Sequence, residues 1–176
     1  MHIRTATPAD APLLARLAAD TMREAFGPPH NPAELVEEYV ASAFTTDRLT
    51  AELGDPRAHT VLLEQAPGQA VGYAKLRQHA PPRRMAERRA VELERIYLLR
   101  AYIGQGLGNR LMDYCLQYAR TVGYRGKPAR AVWLGVWEHN HPARAFYARW
   151  GFRPFGWHYF QFGSDRQRDL WLQKVL

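Results

Sequence analysis

The sequence predicts a mixed α/β fold around one largely antiparallel sheet, and three observations predict it. Runs with strand character dominate both ends of the chain, and helical periodicity is interspersed between them. One stretch, Glu92 to Tyr118, passes from strand to helix through a glycine turn. No internal repeat, low-complexity tract or linker interrupts the pattern, so residues 1–176 read as a single domain.

Taken in order, Ile3 to Thr7 reads as a short first strand. Thr7 or Asp10 can cap the helix after it, with Pro8 or Pro12 in its first turn. Leu13, Leu14, Leu17, Ala18, Met22 and Phe26 form its apolar stripe, which Gly27-Pro28-Pro29 ends. Asn31 is placed to cap a second helix carrying Leu35, Val36, Tyr39, Val40 and Phe44, and Asp47 to start a short third one. Val61-Leu62-Leu63 and Ala70 to Leu76 flank Ala66-Pro67-Gly68-Gln69 as a hairpin. His79 to Arg89, rich in proline and arginine, reads as a mobile loop. Beyond the central stretch, Val132 to Trp137 is a strand and Asn140 starts a helix that Gly151 stops. Phe152 to Phe162 and Gln167 to Val175 close the chain as two strands joined by Gly163-Ser164-Asp165.

The central stretch carries the chemistry. Leu93, Ile96, Tyr97, Leu98 and Leu99 make a strand, whereas Leu107, Leu111, Met112, Leu116 and Ala119 recur at helical spacing. Between them Gly104, Gly106 and Gly108 remove three Cβ atoms where the strand becomes a helix. Backbone can then approach a ligand closely, free N–H groups of the first helical turn point at it, and the positive end of the helix dipole suits a diphosphate. A phosphate-binding P-loop is excluded, because no Gly-Lys-Ser/Thr occurs. A dinucleotide fingerprint is excluded by glycine spacing and by the basic residues between Arg125 and Arg130.

Composition sets the remaining bounds. The single cysteine, Cys115, excludes an internal disulfide and a cysteine-rich zinc site, and its place in an apolar stripe reads as a small buried hydrophobe. No apolar run approaches the roughly 18 residues of a membrane-spanning helix, and the first residues lack a signal-peptide core, so a cytoplasmic location is expected. The net charge of +7 suits a polyanionic ligand; its arginines are scattered and not interleaved with aromatics, which argues against nucleic acid as the partner. His139 and His141 flank Asn140, but no third histidine or carboxylate is spaced to complete a metal site. Trp150, Trp157 and Phe160 offer an apolar contact for a homodimer, which core packing explains equally well.

The glycine turn resembles the acetyl-CoA loop of the GNAT superfamily of N-acetyltransferases, Q/R-x-x-G-x-G/A, laid over Ile103 to Gly108 with Ile103 where Gln or Arg is usual. Asn140 to Phe152 is similar to the superfamily's N-x-x-A-x-x-F-Y-x-x-x-G-F segment. Glu92 to Tyr97 and His158 to Leu170 resemble segments of bacterial spermidine/spermine acetyltransferases of the PaiA type, although Arg95 stands where some of those enzymes are acidic. The resemblance implies a sheet of six to seven strands flanked by about four helices, with the two central strands splayed to admit acetyl-CoA. It implies coenzyme contacts from the turn residues Ile103, Gly104, Gln105, Gly106, Leu107, Gly108 and Asn109, from the backbone of Ile96, Tyr97 and Leu98, and from Asn140 and Tyr147.

Acetyl transfer to an amine needs a proton acceptor for the ammonium, whose pKa is about 10, and a proton donor for the departing sulfur. Period two puts Glu92 and Glu94 on one face of the central strand with Ile96 and Leu98. The resemblance implies Glu94 as base, with Glu92 next, and Tyr147 as acid. Glu34, Glu37 and Glu38, in helices that line the acceptor site of the resembled enzymes, are candidates to hold a cationic acceptor. The expected activity is acetylation of a primary amine, a polyamine first; a peptide amine, another small amine, or non-catalytic binding of acyl-CoA are the alternatives.

Overall fold

The computed structural model describes residues 1–121 and 123–176. Strand β1 (His2–Thr5) leads through a Pro8–Asp10 turn into α1 (Ala11–Phe26), α2 (Ala33–Ala43) and α3 (Thr46–Gly54). There follow β2 (Ala58–Ala66), β3 (Gln69–Arg77), β4 (Ala90–Leu98), α4 (Leu107–Thr121), β5 (Ala131–Trp137), α5 (His141–Arg149), β6 (Arg153–Phe162) and β7 (Asp165–Val175). The strands form one seven-stranded sheet in the order β1-β2-β3-β4-β5-β7-β6, and every neighbouring pair is antiparallel except β4 with β5. This is the mixed, mostly antiparallel architecture expected, with five α-helices among the described residues where about four were expected.

Period-two alternation assigns side chains to the two faces. Leu62 and Leu63 are neighbours in β2 and both wholly buried, yet they belong to different cores. Leu63 packs with Leu111, Met112 and Leu116 under α4, and Leu62 with Leu14, Leu17, Val36 and Leu49 under α1–α3. Each such side chain contributes about 1.5–3 kcal/mol by leaving water. At the chain's start, Thr7 and Asp10 form a capping box before α1, and Asp10 is also paired with Arg4 at 2.7 Å.

Three local expectations need correction. Asn31 does not cap α2; Pro32 stands at that position. Its amide is buried instead, donating to the Phe26 carbonyl at 2.8 Å and accepting from Gln167 Nε2 at 2.7 Å, which ties the α1–α2 connection to β7. The 79–89 segment has no regular structure but is pinned. Met85 is buried beside Ala90, Ala131 and Trp133, and the Arg88 guanidinium donates to the carbonyls of Pro81, Pro82 and Met85. Finally, β7 begins at Asp165, so the last hairpin turns on Gly163 and Ser164 alone.

Candidate active site

The turn from β4 into α4 has an open outer surface. The Tyr102 and Ile103 amides donate to the carbonyls of Leu99 and Arg100 at 2.9 and 3.1 Å, and Gln105 Nε2 donates to Ala101 at 2.8 Å. Gly104 and Gly106 have φ of +84° and +77°, a region costly for residues with a Cβ. A Cβ built at either meets nothing within 4 Å. The first bond into the helix runs from Arg110 N–H to Gly106 at 3.2 Å, so the amides of Leu107, Gly108 and Asn109 precede it without an intrahelical acceptor. Gly108 serves packing as well, since a Cβ there would lie 3.6 Å from the Phe146 ring. Leu107 is buried, Ile103 is exposed, and Asn109 Oδ1 accepts from Trp150 Nε1 at 3.0 Å.

Beside this turn the sheet opens. The β4–β5 ladder covers only Ala90–Glu92 against Ala131–Trp133. Past it, Ile96, Tyr97 and Leu98 pair with Ala74, Tyr73 and Gly72 of β3, and their other edge has no ladder to β5. A helix N-terminus with free amides next to an unpaired strand edge fits a ligand carrying a diphosphate and an amide-bearing arm, as acetyl-CoA does. The splay expected between the two central strands is present.

A bulge sits at the same place. Lys75 pairs with Arg95 and the next residue, Leu76, with Leu93, leaving Glu94 as the extra residue on β4. The bulge resets the alternation: Val91 and Leu93 before it, and Ile96 and Leu98 after it, all pack in the α4 core. Glu92 and Glu94 therefore do not share a face with Ile96 and Leu98, a correction that unbroken period two could not anticipate. Glu94 turns into a charged cluster, with Lys75 Nζ at 2.9 Å, Arg95 at 3.5 Å and Arg77 at 3.6 Å. Glu52 of α3 closes it, 2.7 Å from Lys75 and 2.9 Å from Arg95. Burial opposes the charge of Glu52, but Arg95 and Lys75 hold its carboxyl down at about 2. Because Lys75 is only 5% exposed and bridges both carboxylates, Lys75→Met leaves Arg95 to hold Glu52 and Glu94 together without it. It is expected to lower stability by about 3 kcal/mol, read from the urea midpoint.

On the α4 side, Tyr147 of α5 is half-buried, its ring edge-on to Phe146 at 5.6 Å and to Phe152 at 5.8 Å. Burial raises its phenol above the usual tyrosine range, with buried Cys115 nearby, so it holds its proton at neutral pH. Among the described residues its hydroxyl has no hydrogen-bond partner within the chain. Asn140 caps α5, its Oδ1 accepting from Ala143 N–H at 3.2 Å. That leaves Nδ2 free to donate.

Glu92 and Trp133, paired across β4 and β5, lie on the face of the sheet away from the α4 core. Glu92 accepts a 2.6 Å hydrogen bond from His79, whose ring lies 5.3 Å from Trp133, and the buried Trp133 indole N–H has no partner among the described residues. At the end of β5, the Trp137 ring lies with its centroid 6.1 Å from that of Phe26 and 6.3 Å from that of His30. A cleft of about 540 Å³ opens there, lined among others by Glu138, Tyr159, Arg166 and Arg168. Of the glutamates on α2, Glu37 binds Arg23 through both oxygens at 2.7 and 2.8 Å, and Glu38 accepts from the Ser164 amide at 3.0 Å. Glu34 is exposed in the first turn.

Sequence reasoning did not single out His79, His158 and Asp169, which the fold brings close to Glu92 and Gly135. One signal was available: Gly135 interrupts an otherwise bulky strand, Val132 to Trp137, and a lone strand glycine marks close approach of another group.

A family model described as the acetyltransferase (GNAT) family matches residues 19–152. An uncharacterized N-acetyltransferase of Lactobacillus delbrueckii subsp. lactis is 30% identical over 167 residues, covering 95% of this chain and 92% of that protein. An uncharacterized N-acetyltransferase of Mycobacterium tuberculosis is 35% identical over 95% of this chain and 98% of its own length. In fold, the chain resembles the crystal structure of PaiA N-acetyltransferase from Thermoplasma acidophilum in complex with coenzyme A. The TM-score is 0.77 at 17% identity, with 99% of this chain and 98% of that one covered.

Proposed function

The chain belongs to the GNAT family of acetyltransferases and is an acetyl-CoA-dependent N-acetyltransferase, and from that premise we infer that its acceptor is a primary amine, a polyamine such as spermidine or spermine first. The observation that carries this reading is the collection of carboxylates on the acceptor side of a cationic chain. Glu92, bound to His79, lies near His158, Asp169 lies beside Gly135, and Glu138, paired with Arg168, lines the cleft at the end of β5. Resemblance of the closing strands to the PaiA type supports the polyamine choice.

Acetyl-CoA supplies an acetyl group activated as a thioester. The amides of Leu107, Gly108 and Asn109, with the open turn at Gly104 and Gly106, would hold its diphosphate, and the free edge of Ile96 to Leu98 its amide-bearing arm. Asn140 Nδ2 would donate to that arm. Tyr147 would give its proton to the departing sulfur. Of the two glutamates expected as base, Glu94 already has three cations around it. Glu92, bound to His79 at 2.6 Å and near His158, is the one of the two on the side where the amine would be held.

A second reading, a peptide amine, is favoured by Arg166 and Arg168 at the cleft, which suit an acceptor carrying carboxylates. An amine panel assayed with acetyl-CoA and a thiol-detecting readout decides between them. Thiol release with spermidine or spermine faster than with short peptides is expected. Preference for peptides would support the second reading, and coenzyme uptake without turnover of any amine would mark a non-catalytic acyl-CoA-binding module.

A further inference from the structure

The exposed backbone of Gly135 forms the floor of a gap whose walls are polar. A methyl group built on Gly135 would lie 3.4 Å from His158 Nε2 and 3.5 Å from Asp169 Oδ2. His158 and Asp169 are cross-strand partners on β6 and β7, which sets both side chains on the same face. The His158 ring is fixed twice. It stacks on Trp171, with centroids 5.0 Å apart and planes 15° apart, and its Nδ1 lies 3.1 Å from the Tyr159 carbonyl. A carbonyl can only accept, so Nδ1 carries the hydrogen, and the lone pair of the neutral ring is on Nε2, at the gap. Gly135 stands two residues beyond Trp133, where the β4–β5 ladder ends and the splay begins. Two hydrogen-bond acceptors, neither with a hydrogen-bond partner among the described residues, thus converge beside the place where the central strands part.

We propose that the gap over Gly135 receives the acceptor's primary ammonium group, and that His158 Nε2 takes its proton while Asp169 Oδ2 holds the nitrogen. This deepens the reading of the site as an amine acetyltransferase and rests on it. An N–H bond of the ammonium breaks, its proton bonds to Nε2, and the electron pair stays on nitrogen as the nucleophilic lone pair. The imidazolium formed is stabilised by its cross-strand partner Asp169 and by nearby Glu92. The charged groups around His158 are Glu92 of β4 with His79 bound to it, Asp169 of β7, which Glu138 with its partner Arg168 also faces, and Arg84 of the 79–89 segment, whose Cδ packs against Gly156 two residues before His158. Burial keeps the imidazole below the usual histidine range despite Glu92, so it is unprotonated at neutral pH. Burial, and then Glu138, push the Asp169 carboxyl up to about 6, so it loses its charge as pH falls through that value. Amine binding and turnover are therefore expected to fall together below about pH 6.

Imidazole nitrogen NMR of the full chain tests the site without depending on turnover. The His158 Nε2 resonance is expected to move on adding 1,4-diaminobutane at millimolar concentration and not on adding 1,4-butanediol. Asp169→Asn is expected to abolish that response. Because the raised Asp169 pKa means that its ionised form destabilises the fold, this variant should melt higher than wild type above pH 6; a lower melting point would assign Asp169 a structural role and count against the proposal. His158→Gln is expected to lower kcat by about 100-fold with coenzyme affinity retained and the acid limb of the pH profile displaced. An unchanged profile in that variant, or a His158 signal indifferent to the diamine, overturns the proposal even where the wild type acetylates amines. Absence of any acetylation with a responsive His158 would instead sink the catalytic reading and leave the ammonium site standing.

Discussion

Gly106→Val is expected to weaken acetyl-CoA binding by about 30- to 100-fold while leaving the protein folded. Gly106 has φ of +77°, and a β-branched residue held there carries about 1–3 kcal/mol of backbone strain. The turn can shed that strain only by rotating out of the left-handed region, which swings the amides of Leu107 and Gly108 away from a bound diphosphate. Each 1.4 kcal/mol lost in binding is about tenfold in Kd. Nothing lies within 4 Å of a Cβ built at Gly106, so no core contact is broken. Gly68→Val is the matched control, with φ of +74° and equally open surroundings in the β2–β3 hairpin. It should share the modest loss of melting temperature and keep its coenzyme affinity. Isothermal titration of both variants measures the difference directly.

The second large effect concerns Tyr147. Tyr147→Phe is expected to reduce kcat by about 100-fold with acetyl-CoA affinity within a factor of about two. The substitution removes one oxygen that has no hydrogen-bond partner within the chain among the described residues. The ring's contacts with Phe146 and Phe152 survive, so the stability change should stay within about 0.5 kcal/mol. What is lost is a proton held at neutral pH, since burial raises this phenol above the usual tyrosine range. Steady-state rates with a thiol-detecting readout, beside coenzyme titration, separate the two quantities. Full activity in the variant would transfer the acid role to water or to another group.

The turn proposed to hold the coenzyme was legible because its determinants are local. Glycines at alternate positions between a strand and a helical stripe announce a strand-to-helix turn, and Gly104 and Gly106 do adopt the left-handed conformation that needs them. Asn140 reads as an N-cap and is one. The proposed acceptor side was less legible because its residues come from β4, β5, β6, β7 and the 79–89 segment. The His158–Asp169 juxtaposition depends on the register of the last hairpin, and Gly135 reaches it only through the pairing of β5 with β7. The bulge at Glu94 is a property of two strands: β3 supplies one residue where β4 supplies two, and nothing in β4 alone announces it. Asn31 illustrates the same limit, a residue type suited to capping that is used instead to bridge the Phe26 carbonyl and Gln167.

Backbone amides, rather than a basic side chain, are assigned the work of gripping the coenzyme, Ile103 standing where such a side chain is usual. Amide chemical shifts of the labelled chain, followed during titration with coenzyme A and separately with acetyl-pantetheine, test that assignment. The amides of Gly106, Leu107, Gly108 and Asn109 should move strongly with coenzyme A and little with the phosphate-free arm, which should instead perturb Ile96 to Leu98. Equal responses to both ligands, or a turn that stays silent at saturating coenzyme A, would contradict it.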